Sequence, residues 1–194
     1  MSMKKYGDII TMIITISGTP GSGKSTVAKI IATKLGWKHY SSGDFMRQMA
    51  KEMSITLEEL GTLAKIDPLI DKTLDERQIK LGKEEDNFVI DSRLGFYFIP
   101  HSVKVYVDVD STIGAQRILG DIQSNLRREE QAANIQELVN KINIRKKSEI
   151  DRYTQYYDVN IHDPQNYDFI VDSTHLTAER VAEKIIIFMK NSKK

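Results

Sequence analysis

Eight consecutive residues, Gly18-Thr19-Pro20-Gly21-Ser22-Gly23-Lys24-Ser25, spell a complete G-x-x-x-x-G-K-S loop, and their flanks constrain the fold more than any other feature. Before them, Ile10–Ser17 is apolar and β-branched, as a strand buried on both faces requires. After them, Ser25–Leu35 places Val27, Ile30, Ile31 and Leu35 on one helical face, with Gly36 as a stop. Strand, glycine turn and helix start together predict an anion site, because backbone N–H groups converge there and the helix dipole favours negative charge. Lys24 is expected to reach the β- and γ-phosphates and the Ser25 hydroxyl to ligate Mg²⁺, with Thr26 completing the phosphate-facing turn. A nucleoside triphosphate is the ligand this pattern predicts.

The alternation continues along the chain. Strand-like runs at Trp37–Tyr40, Phe88–Asp91, Val103–Val109 and Phe169–Asp172 are separated by helical patterns. Five such strands predict an α/β fold with a parallel sheet covered on both faces. Ligands on these sheets sit at the carboxyl ends of the strands. Gly18–Ser25, Ser41–Asp44, Asp91–Arg93, Asp108–Asp110 and Asp172–Thr174 should therefore share one rim.

Two stretches break the alternation, at about 43–83 and 119–163, and both are expected to rise from that rim as helical inserts on a core of about 9–42, 84–118 and 164–194. In the first, Thr56 and Glu59 form a capping box and Asp67-Pro68 marks a break. The second is polar through Gln123–Gln131, then amphipathic from Ile135 to Tyr157. At 194 residues the whole reads as a single domain.

Composition narrows the class. Hydrophobic residues make up 40% and charged residues 28%, which suits a soluble globular protein. A net charge of +1 exerts no bulk pull on nucleic acid or membrane. The absence of cysteine excludes disulfides and thiolate metal sites and fits a cytoplasmic home. No run reaches membrane-spanning length. Met1–Asp8 reads as a frayed lead-in rather than a signal peptide, and Met12 offers a second start.

Several residues could carry chemistry, each with a plainer alternative. Asp91, ending an apolar strand, stands where a carboxylate would hold Mg²⁺, or it merely caps the next turn. Arg93 extends above that strand end. Ser42 or Asp44 can cap a helix that carries Arg47, and Arg47 either meets phosphate or decorates a surface. Arg77 faces the same choice between a ligand and a solvated helix face with local ion pairs. Arg145, Glu149 and Arg152, spaced by four and three, share a helical face bordering the apolar stripe of Ile142, Ile150, Tyr153 and Tyr157. On spacing alone they read as an exposed salt bridge, and Arg127 and Arg128 as solvated. The Tyr153-Tyr156-Tyr157 cluster reads as packing, and His39, His101, His162 and His175 as ordinary residues without metal-ligand spacing.

As an ordered set, these residues resemble the nucleoside monophosphate kinases, and within them the cytidylate kinase family, from Ile13 to the last helix. The spacing Arg145-x-x-x-Glu149-x-x-Arg152 is similar to that family's lid signature, and Ser42-Gly43 with Arg47, Arg77-Gln78 and Arg93 fall where the family binds nucleotides. The resemblance implies a P-loop NTPase three-layer sandwich, with an acceptor-binding insert and a lid. It implies ATP and Mg²⁺ as cofactors, nucleotides as the only partners, and a monomer. Lys24, Arg93, Arg145 and Arg152 would be catalytic, with Arg145 on the phosphate in transit. Arg47, Arg77, Arg93 and Arg152 would grip the acceptor monophosphate, with Ser42, Asp44 and Glu149 near its base or sugar. Arg117 and the Asp172-Ser173-Thr174 loop would meet adenine. The implied reaction moves the ATP γ-phosphoryl group to CMP or dCMP, and a kinase of UMP, AMP or a non-nucleotide is the alternative. The sequence departs from the family where Asp-Gly-Arg-Asp is common, reading Asp91-Ser92-Arg93-Leu94, and Leu94 cannot accept a hydrogen bond from a cytosine amino group. Its compact 47–77 segment looks like the short archaeal-type branch.

Three rival classes fit less well. A GTPase switch wants Asn-Lys-x-Asp after a strand, whereas Asn140-Lys141-Ile142-Asn143 lacks the aspartate and lies in a helical pattern. A nucleic-acid-coupled ATPase would place glutamate where Ser92 stands. A dead binding module would not keep Lys24, Ser25 and Asp91 intact.

Overall fold

In the computed structural model, residues 12–64, 66–124, 132 and 134–191 are described. Among them the chain forms β1 (Ile13–Gly18), α1 (Lys24–Leu35), β2 (Lys38–Ser41), α2 (Ser42–Glu52), α3 (Leu57–Leu63), α4 (Pro68–Glu84) and β3 (Phe88–Asp91). Then follow α5 (Gly95–Phe98), β4 (Val103–Asp108), α6 (Ser111–Gln123), α7 (Ile135–Tyr157), a 3-10 turn at Pro164–Asn166, β5 (Phe169–Asp172) and α8 (Ala178–Asn191). The strands make one parallel sheet in the order β2-β3-β1-β4-β5, so the strand carrying the glycine loop is central.

Alternation along β1 explains both faces of the sheet. Ile14 and Ile16 are fully buried against α1 and α8 through Val27, Ile31, Val181 and Ile185. Ile13, on the other face, packs with Phe88, Ile90 and Ile99, joined by Phe45 of α2 and Leu81 of α4. The central strand therefore lies between helical layers, and both of its faces need apolar residues. Fully burying one such isoleucine stabilises the fold by about 1.5–3 kcal/mol.

The strand expectations hold to within a few residues; of the run Ile10–Ser17, residues 10 and 11 lie outside the described residues. The lead-in expected at Met1–Asp8 and the solvated pair expected at Arg127 and Arg128 also lie outside them. Gly36 ends α1 in the left-handed conformation, and Thr56 and Glu59 form both halves of the capping box. Asp67 caps α4, with Pro68 as its first residue. The break expected at 118/119 falls inside α6, which continues to Gln123 because Ile118, Leu119 and Ile122 pack against Leu138 and Ile142 of α7. No helix among the described residues is long and apolar enough to cross a membrane.

Candidate active site

The carboxyl ends of β1, β3 and β4 bring together the glycine loop, Asp91-Ser92-Arg93 and Asp108. Gly21 has φ 81°, and a Cβ there would lie 2.4 Å from the Gly114 carbonyl oxygen of α6, so only glycine lets loop and helix approach this closely. Thr19 is buried and donates its hydroxyl to Asp108 Oδ1 at 2.5 Å, which anchors the loop to β4. Ser173, after β5, donates to the Ser22 carbonyl at 3.0 Å. The loop is thus tied on two sides, leaving Lys24, Ser25 and Thr26 as the first turn of α1, where amide groups have no carbonyl partner within the helix.

Asp91 is 4% exposed and fully engaged. Its Oδ1 accepts from Ser25 at 2.9 Å and from Ser41 at 3.1 Å, and its Oδ2 bonds His39 Nε2 at 2.8 Å. Burial opposes its charge, but the bonds from His39 and Ser25 and the nearby Lys24 outweigh burial and hold its carboxyl below the usual aspartate value. These bonds place Asp91 beside Ser25 and not on a following turn, so the capping alternative fails. Nor do Ser42 or Asp44 cap α2. Ser41 holds the cap position, with no side-chain bond to the helix amides.

Lys24 is pushed down to about 8, first by burial, then by the like charges of Arg93 and Arg145, partly offset by Asp91 and Glu149. Although part of its surface is open, it stands in the same field as those arginines. Arg93 Nε and Arg145 Nε both donate to Glu149 Oε1, the latter at 3.0 Å. Glu149 is 7% exposed, and although burial opposes its charge, the two guanidinium groups keep its pKa lowered. The expected i, i+4 salt bridge between Arg145 and Glu149 forms, exposed at Arg145 but buried at Glu149, and Arg93 after β3 joins it where Leu94, Phe96, Tyr153 and Ile161 pack together.

Two clefts flank these residues, one lined by Lys24 and the other by Arg93, Arg145 and Glu149. One, of about 350 Å³, is bounded by Gly21–Thr26, Arg117 and the stretch from Ser173 to Val181. Arg117 is held there by Ser173 Oγ at 3.1 Å and by the Ser173 and Thr174 carbonyls at 2.8 and 3.2 Å. The other, of about 420 Å³, lies between α4 and α7 and is lined by Ser42, Arg93, Arg145, Glu149 and Arg152. Arg152 there faces Asp71 at 3.7 Å and donates to the Tyr153 hydroxyl at 2.9 Å.

Three expected site residues stand apart from this second cleft. Arg47 pairs with Asp44 at 2.5 Å, both exposed, and Arg77 pairs with Glu52 of α2 at 3.1 Å. The Arg77 pair is between helices, not local as the sequence suggested. Of the tyrosine cluster, Tyr153 is buried and packs as expected, while Tyr156 is 46% exposed.

Sequence reasoning missed His39, Asp71, Asp75 and the polar role of Tyr157, and it reached Gln78 only through the family resemblance. Signals existed for most of them. His39 and Ser41 alternate onto one face of β2, where both reach Asp91. Asp71, Asp75 and Gln78 repeat the four-and-three spacing of Arg145, Glu149 and Arg152, and all three line the second cleft. The Tyr157 hydroxyl donates to Asp75 Oδ2. Asp75 is pushed up to about 6, first by burial and further by Asp71 and Glu76, against the lowering influence of Tyr157 and Arg152.

That shift has a measurable sign. A carboxyl with a raised folded-state pKa binds extra protons on folding, so its penalty grows as pH rises from about 4 to about 6 and persists above. Asp75→Asn is therefore expected to raise stability at pH 7.5 by about 1 kcal/mol, after discounting for solvent screening. At pH 4 it should change little. Melting curves of both proteins at the two pH values test this, and an equal shift at both would contradict it.

A phosphate loop on the central strand, meeting an arginine-lined cleft across a buried carboxylate, is the arrangement of a small P-loop kinase. Solved structures agree on the fold. An uncharacterized protein from Eubacterium ventriosum superposes with a TM-score of 0.68 at 18% identity, over 92% of this chain and 98% of that one. Shikimate kinase from Acinetobacter baumannii, solved with shikimate, gives 0.62 at 15% identity, over 95% and 96%. The sequence is more specific. The model of the cytidylate kinase-like family matches residues 13–175, and the chain belongs to that family. The cytidylate kinase of Methanocella arvoryzae is 34% identical over 94% of this chain and 99% of its own length. That of Archaeoglobus fulgidus is 35% identical over 90% and 93%.

Proposed function

We propose that the protein transfers the γ-phosphoryl group of ATP to a pyrimidine nucleoside monophosphate, CMP or dCMP, giving ADP and the diphosphate. One observation carries the reading: Lys24, which lines the first cleft, feels the charges of Arg93 and Arg145, which line the second. Substrate phosphates entering from either side would converge on these side chains. The names of the archaeal relatives support CMP as the acceptor.

ATP would lie in the first cleft, its phosphates on Gly18–Thr26 and its adenine against Arg117 and the Ser173–Thr174 backbone. The monophosphate would lie in the second, gripped by Arg93 and Arg152. Ser42 and Glu149 would hold its sugar or base, with Asp44, Arg47 and Arg77 recruited when α2 and α4 close. In this scheme the 43–83 segment is the acceptor-binding insert and the 119–163 segment the lid on a single domain.

Ser25 and Asp91 suit Mg²⁺ as oxygen donors 2.9 Å apart. Among the described residues no group of three or more His, Cys, Asp or Glu side chains could hold a metal by itself. That suits a cation retained mainly by phosphates and water. When bound, Mg²⁺ would supply charge neutralisation to the ATP phosphates.

No general base is needed, because a monophosphate with a second pKa near ~6 is mostly dianionic at neutral pH. The chain's own task is positioning and charge stabilisation: Lys24 and Arg145 follow charge spread over the moving group, while Arg93 and Arg152 align the attacking oxygen. A monomer acting in the cytoplasm completes the reading.

Incubating the protein with Mg-ATP and each monophosphate in turn, and measuring diphosphate formed, tests the proposal. Turnover with CMP and dCMP is expected. Turnover only with AMP or a non-nucleotide would overturn the acceptor assignment.

A further inference from the structure

The wall of the second cleft formed by α4 is built for hydrogen bonding, whereas on the β3 side Leu94 lines it with an apolar side chain that is 4% exposed and the Ser92 hydroxyl is turned to Gln78. Polar groups come instead from α4. Gln78 is 3% exposed, and its Oε1 is taken by the Ser92 hydroxyl, itself 2% exposed. This fixes the amide with its nitrogen as the available donor. That nitrogen makes one long bond, to the Leu74 carbonyl at 3.4 Å. A primary amide has two N–H groups, so one is left to serve a guest in the cleft.

One helical turn away, Asp75 has Oδ2 taken by the Tyr157 hydroxyl, which leaves Oδ1 as an acceptor. Both residues line the same cleft, and residues three apart on a helix have Cβ atoms about 5–6 Å apart. The wall thus presents a nearly buried donor beside a carboxylate acceptor.

We infer that Gln78 and Asp75 read the acceptor base, Gln78 donating to a ring acceptor and Asp75 accepting from an exocyclic amino group, so that cytosine is selected over uracil. This rests on the acceptor cleft proposed above. Cytosine carries an amino group at position 4 beside the N3 acceptor, and carboxylates accept from that amino group. Uracil carries a carbonyl oxygen at position 4, and a carboxylate facing it would set two acceptors against each other. Tyr157 steers the choice as a positioning residue, because its hydroxyl decides which carboxylate oxygen is free. Asp71, one turn further out, is instead placed against Arg152 at 3.7 Å.

The test compares kcat/KM for CMP and UMP, at saturating Mg-ATP, in the wild-type protein and in Asp75→Asn, Gln78→Met and Tyr157→Phe. In Asp75→Asn, the Tyr157 bond holds the amide oxygen and turns the nitrogen toward the base. CMP efficiency should then fall roughly ten- to a hundredfold while UMP efficiency holds or rises. Gln78→Met should lower efficiency with both bases, because N3 of cytosine and O2 of either base lose their donor. Tyr157→Phe should blur the CMP preference without changing KM for ATP. Melting curves confirm folding, and CMP and UMP binding to wild-type protein gives a measure independent of any variant. A CMP-to-UMP ratio unchanged within about twofold in Asp75→Asn and Tyr157→Phe would overturn the assignment, as would equal wild-type affinity for the two bases. A wild-type protein that phosphorylates neither would overturn the functional reading instead.

Discussion

Arg145→Ala is expected to lower kcat by about 10³-fold while leaving ATP affinity within about twofold, since arginines that stabilise charge in phosphoryl transfer contribute ~10³–10⁵. The asymmetry follows from its placement. Arg145 lies on α7, lines the second cleft and not the one beside the glycine loop, and is bonded to Glu149. Its side chain is 47% exposed, so truncation costs little packing and the fold should be nearly as stable. Removing it also leaves Glu149 to Arg93 alone, which tightens that pair and withdraws a second guanidinium from the phosphates. Steady-state kinetics at saturating substrates, with ATP affinity from titration calorimetry, separates the two effects. Equal and modest losses in turnover and affinity would remove Arg145 from the transition state. Lysine should rescue poorly, because an ammonium cannot present the guanidinium's planar fork.

The second large effect concerns the loop. Gly21→Ala combines a positive φ with a Cβ 2.4 Å from the Gly114 oxygen and 2.6 Å from its Cα, neither of which can yield without moving α6. The expected loss is about 3 kcal/mol or more of stability, together with at least a hundredfold loss of ATP affinity, since a displaced loop no longer aims its amides. Gly23→Ala is the internal control. It shares φ 81°, but an added Cβ meets nothing within 4 Å, so only backbone strain remains. Denaturant melts and ATP titrations of both variants should rank Gly21→Ala well below Gly23→Ala. Similar losses would mean that the contact with α6 does not matter.

The glycine loop, the strand ending at Asp91 and the bounds of α7 were legible because each rests on local pattern: a turn needing glycine, a β-branched run, an amphipathic period. Arg93, Glu149 and Arg145 were legible only as an ordered set, since spacing alone described an exposed salt bridge beside the apolar stripe of α7. What buries the Glu149 end of that pair and brings Arg93 to it is Leu94, Phe96, Tyr153 and Ile161 meeting across the chain. The engagement of His39 with Asp91 was hidden for the same reason, since the partners are 52 residues apart and meet only because β2 lies beside β3. Arg47 and Arg77 were read as possible phosphate ligands, yet each has a carboxylate at hand, Asp44 one turn back and Glu52 on the facing helix. Which anion a surface arginine keeps is decided by geometry that sequence order does not carry.

The carboxylate shared by Arg93 and Arg145 has a bearing on selectivity in a crowded cell. Clustered guanidinium groups would otherwise scavenge sulfate, inorganic phosphate or stray metabolites. With Glu149 already seated between them, any arriving anion must compete with a resident counter-charge. A small, weakly held ion gains almost nothing from that exchange. A ligand that also docks elsewhere in the cleft can win it, so the internal acid sets an entry threshold that favours whole substrates over fragments.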